Sequence, residues 1–250
     1  LNNAANDEDI RNGTTYAEHV GIKVTMPRWG TSKGDYYFDK SKNVIAKGLS
    51  SIKYMSASLA EELYNLAHSK EYTYFVDLLN DVNRYTSLNS RQLDILVKID
   101  FFAQFGNQRE LLRLIELYYE TFKCGQAKQI NKTKVNSEKL EAIIKKYSVD
   151  ITKSGGIAKS YTLLDIDSIL HEAEDAIKEL NLADLSDVLK VKNFKDVMGY
   201  AGYVSNRDED RRKLYITDVY PLVRRKDGKQ FGYSLLTKSI GSGKESRFTV

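Results

Sequence analysis

Three groups of residues in this sequence have the types and spacing to hold a polyanion. Lys47, Lys53 and Ser56 surround a short turn ahead of an amphipathic helical repeat, and Arg91, Lys98, Asn107 and Arg109 surround a second, between Asn89 and the Phe105-Gly106 turn. Ammonium, guanidinium and hydroxyl groups meet phosphate oxygens through their side chains. A helix N-terminus, such as the one expected after Asn89, adds oriented N–H groups that favour an anion. The third group, Arg224, Arg225 and Lys226, precedes Phe231 and Tyr233. Positive charge beside aromatic rings on a β surface suits a single strand, where each stacked base contributes roughly 1–3 kcal/mol.

Motifs that would carry catalysis fail on spacing. Asp165-Ile166-Asp167 falls in a helical stretch, where residues two apart point to nearly opposite faces, and carboxylates at a helix start are favoured by the dipole without any metal. His171-Glu172 lacks the second His four residues on that a zinc-protease helix needs, and His19, His68 and His171 are too far apart in sequence for a zinc site. Gly241 to Ser246 imitates a phosphate loop, but Glu245 follows Lys244 in place of Ser or Thr, and Lys238 stands where the first glycine belongs. The single cysteine, Cys124, has no paired His motif and reads as an ordinary thiol. No acid, base and nucleophile assemble, so no catalysis, catalytic residue or bound metal is expected of this chain.

The elements that must position the basic groups follow from apolar periodicity. Between Gly21 and Ala46, short β-branched and aromatic runs between turn residues predict extended segments, and only Tyr16 to His19 looks like a helix end. From Ser56 to about Phe122 the period is helical: Leu59, Ala60, Leu63 and Leu66 form one face, Tyr74 to Leu79 begins another, and Asn89 with Gln92 signals a capping box ahead of Leu93, Leu96 and Val97. Gln108 to Phe122 begins a further helix. A polar, lysine-rich passage with one short helix, Ser137 to Tyr147, leads through the Ser154-Gly155-Gly156 break to a helix over Leu163 to Leu180. After Val197 the period becomes two, in Met198 to Val204, Leu214 to Tyr220 and Gln230 to Leu236, with Asp227-Gly228 predicting a type I′ hairpin.

At 250 residues, 42% hydrophobic and 29% charged, the chain can bury one large core or two smaller ones. No run approaches the roughly 20 apolar residues of a membrane span, and LNNAANDEDIRNG is no signal peptide, so a cytoplasmic address without membrane contact is expected. The net charge of +4 is uneven: Lys and Arg number 11 against 6 acids over residues 201–250, but 6 against 9 over 151–200. A basic C-terminal module after an acidic helical one suggests a polyanion near the C-terminus. The alternating end at Ser246 to Val250 reads as a piece of something longer.

Three blocks carry a family resemblance. Val44 to Ala67 has the layout of a helix-hairpin-helix, a DNA-phosphate clip, without its hairpin glycines. Gly21 to Pro27 resembles "GIKVLPP", Val44 to Lys53 resembles "IRFGLAAIK", and Leu88 to Arg109 resembles "LNKRVLEALIKAGAFDSLGNR", all of the bacterial replicative DNA polymerase III α subunit, in the region after its palm, thumb and main fingers. Where that family continues "GVGEG", this sequence has Tyr54-Met55-Ser56-Ala57-Ser58. A Cβ hinders both positive φ and close approach of backbone N–H groups to phosphate, so the first clip is expected to keep its scaffold and lose grip, while Arg91, Lys98, Asn107 and Arg109 compensate at the second.

The resemblance implies an α+β chain: residues 1–48 from the end of the fingers, a mainly helical tandem helix-hairpin-helix region over 49–122, a helical linker over 123–196, and an incomplete OB-like antiparallel β module over 197–250. It implies a non-catalytic DNA-binding portion of the polymerase, with duplex and single-stranded DNA as partners and the magnesium-binding palm aspartates of the parent nucleotidyltransferase elsewhere. A sliding-clamp peptide is suggested by Gly125-Gln126, though Ala127 to Ile130 lacks the apolar end such a peptide needs. The alternative is a protein-interaction scaffold on the same fold.

Overall fold

Short apolar runs after Gly21 do form strands: β1 (Lys23–Thr25), β2 (Tyr37–Asp39) and β3 (Val44–Ala46) make a sheet of order β1-β3-β2. Strand β3 runs parallel to β1 and antiparallel to β2. Ahead of them, helix α1 (Asp7–His19) spans 13 residues, of which only the last four carry a helical signal in sequence. Gly13, Thr14 and Thr15 are poor helix formers and hide its period. The protein is described by a computed structural model that covers residues 1–3, 7–151, 155–198, 212–241 and 243–250. Two units divide the chain, Leu1–Asp184 and Leu185–Val250.

The helical heart of the first unit starts with a single 3₁₀ turn, Leu49–Ser51, and continues through α2 (Ala57–Ser69), α3 (Phe75–Tyr85), α4 (Ser90–Lys98) and α5 (Gln108–Glu116). Each start is written in sequence. Ser56 accepts the Leu59 N–H, and Asn89 and Asn107 form reciprocal capping boxes with Gln92 and Glu110. Apolar faces meet in a core that includes Leu63, Phe75, Leu79, Leu96 and Leu114, all at most 1% exposed. Trp29, 5% exposed, leaves the extended N-terminal segment to pack edge-on against Tyr72 and Phe101, with centroids 6.2 and 6.0 Å apart. Burial of aromatic rings in such edge contacts favours the fold beyond area alone.

Residues 123–184 are more than the expected helical linker. Strands β4 (Gln129–Asn131), β5 (Ser148–Ile151) and β6 (Ile157–Leu163) form an antiparallel sheet of order β4-β6-β5, with α6 (Glu138–Lys146) and α7 (Ile166–Glu179) beside it. Strand β4, at three residues, is too short to show a period of two in sequence. Helix α7 is fastened to α3 by a group with no sequence signature. Glu174 is fully buried, and its two carboxylate oxygens accept the N–H groups of Phe75 and Val76 at 2.9 Å each. His171 stacks on Tyr74 at 4.1 Å and meets Asp77 at 2.7 Å. Asp165, one of the paired carboxylates, caps α7 by accepting the Ser168 N–H.

After α5 the chain widens into a π-helical turn, Leu117–Thr121, and then holds Lys123, Cys124 and Gly125 at φ 47, 59 and 71°. The Tyr118 hydroxyl donates to Asn80 at 2.6 Å and accepts from Asn83 at 3.3 Å. Burial pushes its phenol up to about 12. A Cβ on Gly125 would stand 2.8 Å from Asn80 Oδ1, and its φ of 71° is one that glycine adopts without penalty, so the position favours glycine.

The second unit contains α8 (Asp187–Met198) and an antiparallel sheet of β7 (Leu214–Val223), β8 (Gln230–Ser239) and β9 (Glu245–Thr249), in that order. Val191 of α8 and Ile240 pack together with half-buried Tyr215. The strand expected at Met198 to Val204 begins at the end of α8, and its remainder, residues 199–204, lies outside the described residues. The architecture is α+β. Among the described residues no helix is long and apolar enough to cross a membrane, and no group of three or more His, Cys, Asp or Glu is placed to hold a metal ion.

Candidate nucleic-acid interface

The first basic group is built on a strained turn. Gly48 follows β3 where an added Cβ would stand 2.2 Å from the Gly34 carbonyl oxygen, so only glycine fits. The 3₁₀ turn Leu49–Ser51 takes the place of the first helix of the pair, and Ile52 and Met55 anchor the turn in the core at 2% and 8% exposure. Between them Tyr54 sits at φ 68°. The left-handed backbone that glycine would adopt without penalty is thus retained by a tyrosine, at roughly 1–2 kcal/mol. The turn then runs into α2 through the Ser56 cap.

The first turn of α4 clasps this hairpin. Gln92 donates from Nε2 to the Tyr54 carbonyl at 2.7 Å, while its Oε1 accepts the Asn89 N–H at 3.0 Å. The Arg91 guanidinium lies 3.8 Å from the centroid of the Tyr54 ring. Lys53, Tyr54, Ser56 and Arg91 are all exposed, so one solvent-facing turn gathers two cations, a hydroxyl and a ring. Lys47 is different. It is 7% exposed, and its side chain is inside the protein rather than at this surface.

Arg91 does not cluster with Lys98, Asn107 and Arg109, as the sequence suggested. Helix α4 separates Arg91 from Lys98 by about 10 Å along its axis, and Lys98 pairs with Asp94 at 2.6 Å. At the second hairpin, α4 ends in a Schellman motif, with Phe101 N–H bonded to Leu96 C=O and Asp100 N–H to Val97 C=O, both at 3.0 Å. Asp100 takes the left-handed position at φ 61°, its carbonyl accepts from Arg28, and its carboxylate accepts from buried Gln108 at 2.9 Å.

Asn107 is committed to structure, since its Oδ1 caps α5 and its Nδ2 donates to the Leu182 carbonyl at 2.8 Å. Arg109 is exposed, but the N-terminus of α5 already holds an anion of the protein's own: Asp184 Oδ1 accepts the Gln108 N–H at 3.2 Å. The carboxylates of Asp100, Glu110 and Asp184 stand around the second hairpin, where they accept hydrogen bonds from Gln108 and Asn107 beside the exposed Arg109.

In the second unit, Arg224, Arg225 and Lys226 lie exposed in the β7–β8 connection. This hairpin is not the two-residue type I′ turn that Asp227-Gly228 predicts. Gly228 alone has positive φ, at 68°, its N–H bonds Arg224 C=O, and the Asp227 carboxylate instead accepts the Lys229 N–H at 3.1 Å. The connection runs over six residues, 224–229, and carries all three cations.

Cross-strand register puts Tyr233 opposite Pro221, and Leu235 between Val219 and Phe248, on one face of the sheet. Val219, Tyr233 and Phe248 are 53, 45 and 45% exposed, whereas Ser234 and Thr237 are buried at 7 and 3%. Phe248, in the stretch Ser246 to Val250 whose alternation was legible in sequence, joins the aromatic set.

Neither remaining candidate supplies chemistry. Gln126 is exposed, but Ala127 and Ile130 are 7 and 4% exposed, with Ile130 paired to Tyr161 in the β4–β6 sheet, so the apolar side of the suggested clamp peptide is already used. A cleft of about 1010 Å³ mixes Arg113, Lys123 and Lys134 with Glu116 and Glu120, and its lining has no His or Cys to pair with Ser137 or Ser160.

A family model described as a helix-hairpin-helix motif matches residues 21–112, which contain β1 to β3, both hairpins and α2 to α4. No curated protein matches the chain. A motif of this kind is consistent with nucleic-acid binding.

Proposed function

We propose that this chain binds DNA as a non-catalytic, DNA-handling portion of a DNA polymerase III α chain. The carrying observation is the solvent-facing turn of Lys53, Tyr54, Ser56 and Arg91 inside the segment that matches the helix-hairpin-helix motif. Lys53 and Arg91 bring cations to the duplex backbone, and the Ser56 hydroxyl lies beside them at the start of α2. The β7–β9 sheet offers the separate surface for single strand, with Arg224, Arg225 and Lys226 meeting phosphates and Tyr233 and Phe248 stacking on bases. The resemblance assigns magnesium to the parent's palm. Among the described residues no group of three or more His, Cys, Asp or Glu is placed to hold it.

Replacing Lys53 and Arg91 together by Ala tests the reading in a duplex titration at low salt. Two lost phosphate contacts weaken binding and lower the salt slope by about 2. Unchanged affinity and slope would refute the role of this hairpin.

A second reading, a protein-interaction scaffold, draws support from the carboxylates at the second hairpin and the apolar exposed face of β7–β9. Salt-independent behaviour towards DNA would favour it.

A further inference from the structure

We propose that the Tyr54 ring is a base-stacking platform, so that the first hairpin takes DNA carrying an unpaired or terminal base in addition to gripping its backbone; this rests on the DNA-binding reading above. Four observations point the same way. Tyr54 holds a backbone conformation, φ 68°, that glycine would adopt at no penalty, and strain kept at an exposed turn is a functional signal. Tyr54 is 58% exposed and so contributes little to the core, while Ile52 and Met55 on either side are buried and do the anchoring.

The ring is also held in place. Arg91 covers one face at 3.8 Å, the Tyr54 carbonyl is fixed by Gln92 at 2.7 Å, and Gln92 is itself locked by the Asn89 capping box. A flat ring backed by a guanidinium is a preorganised surface for another π system. Finally, Lys53 and Ser56 flank it at a distance of one and two residues, so a nucleotide that stacks there has a cation and a hydroxyl near its phosphate.

The substitution of a ring for glycine also changes what kind of DNA fits. A glycine hairpin lets phosphate approach bare backbone, whereas a side chain at this position blocks close approach. In an intact duplex the base faces are occupied by their neighbours, and a protruding ring finds no partner. An extrahelical, frayed or single-stranded base has a free face, and stacking one base is worth an affinity gain of about 5- to 150-fold.

The test uses the full chain and two probes: a closed DNA dumbbell with every base paired, and the same dumbbell with one extrahelical 2-aminopurine. The proposal expects the second probe to bind at least about 5-fold more tightly, with quenched 2-aminopurine fluorescence. Tyr54→Phe keeps preference and quenching, and Tyr54→Leu loses both. Unchanged far-UV circular dichroism and melting temperature establish that the Leu variant is folded, and Arg91→Met, which uncovers the ring without altering the turn, serves as the second variant with a reduced preference. Binding to both probes without preference or quenching overturns the stacking role and leaves DNA binding intact. A preference that survives in Tyr54→Leu places the stacking elsewhere and equally overturns it. Binding to neither probe overturns this proposal together with the DNA-binding reading.

Discussion

Removing the Glu174 carboxylate should cost the first unit much of its stability. Glu174 is fully buried, and each of its oxygens accepts an α3 N–H at 2.9 Å, from Phe75 and Val76, which are themselves 0 and 1% exposed. Tyr74, the residue in the cap position of α3, makes no side-chain cap, so nothing else in the described structure offers those donors an acceptor. A hydrogen bond to a charged group contributes about 1.5–3 kcal/mol, and two give about 3–6 kcal/mol for Glu174→Ala. Glu174→Gln keeps one carbonyl acceptor and should lose about half of that.

Lys178 pairs with the fully buried Glu174 at 2.7 Å, so Lys178→Met leaves a buried carboxylate without its cation and should cost about 3–5 kcal/mol. Urea unfolding followed by circular dichroism reads all three, as midpoint shifts at unchanged slope. With a slope of about 1–3 kcal/mol/M, the Ala variant moves the midpoint by about 1 M or more. A Glu174→Ala loss below about 1 kcal/mol would refute the claim that this carboxylate is the tertiary cap of α3.

Three further expectations concern DNA and pH. Tyr54→Gly with Ser56→Gly restores the bare hairpin and should strengthen closed-duplex binding, since loss of the Ser56 cap to Gly costs only a few tenths of a kcal/mol; weaker binding in the same titration would show that the hairpin has no phosphate geometry to restore. Arg224, Arg225 and Lys226 replaced together by Ala should weaken single-strand binding and lower its salt slope by about 2 for three cations at a single strand; an unchanged slope would remove this loop from the interface.

Asp39, Glu141, Asp150, Asp165 and Glu172 are held below their ordinary values of 3.8 and 4.5, chiefly by hydrogen bonds from Ser41, Lys145, Lys132, Ser168 and Lys146 respectively. Depressed carboxylates contribute stability that is fully present above those values and lost as pH falls through the lower folded-state ones. The melting temperature should therefore drop from about pH 4.5 downward, and a flat profile to about pH 3 would contradict the assignment.

Local signals made much of this fold legible. Ser56, Asn89 with Gln92, Asn107 with Glu110, Ser137 and Asp165 all cap the helices that follow them, because a cap acts on a donor two or three residues away. What escaped was long-range. Glu174 meets α3 across a separation of 99 residues, Asp184 meets α5 across 76, and Arg91 meets Tyr54 by way of a tertiary contact. Short strands such as β4 are formed by pairing rather than by pattern, so they were invisible in a linear reading. The missing glycines at the first hairpin were read as lost grip alone. The backbone nonetheless keeps the left-handed turn with Tyr54 in it, and the side chain rather than the bare N–H groups becomes the surface that faces solvent.

The most direct test of the account is fluorescence anisotropy of the full chain with labelled primer-template and single-stranded DNA over a range of salt concentrations. Binding should weaken linearly in log–log form, with a slope of about −0.9 for each duplex phosphate neutralised and about −0.7 for each single-strand one. Absence of binding at low salt, or binding that ignores salt, would contradict a DNA-handling role.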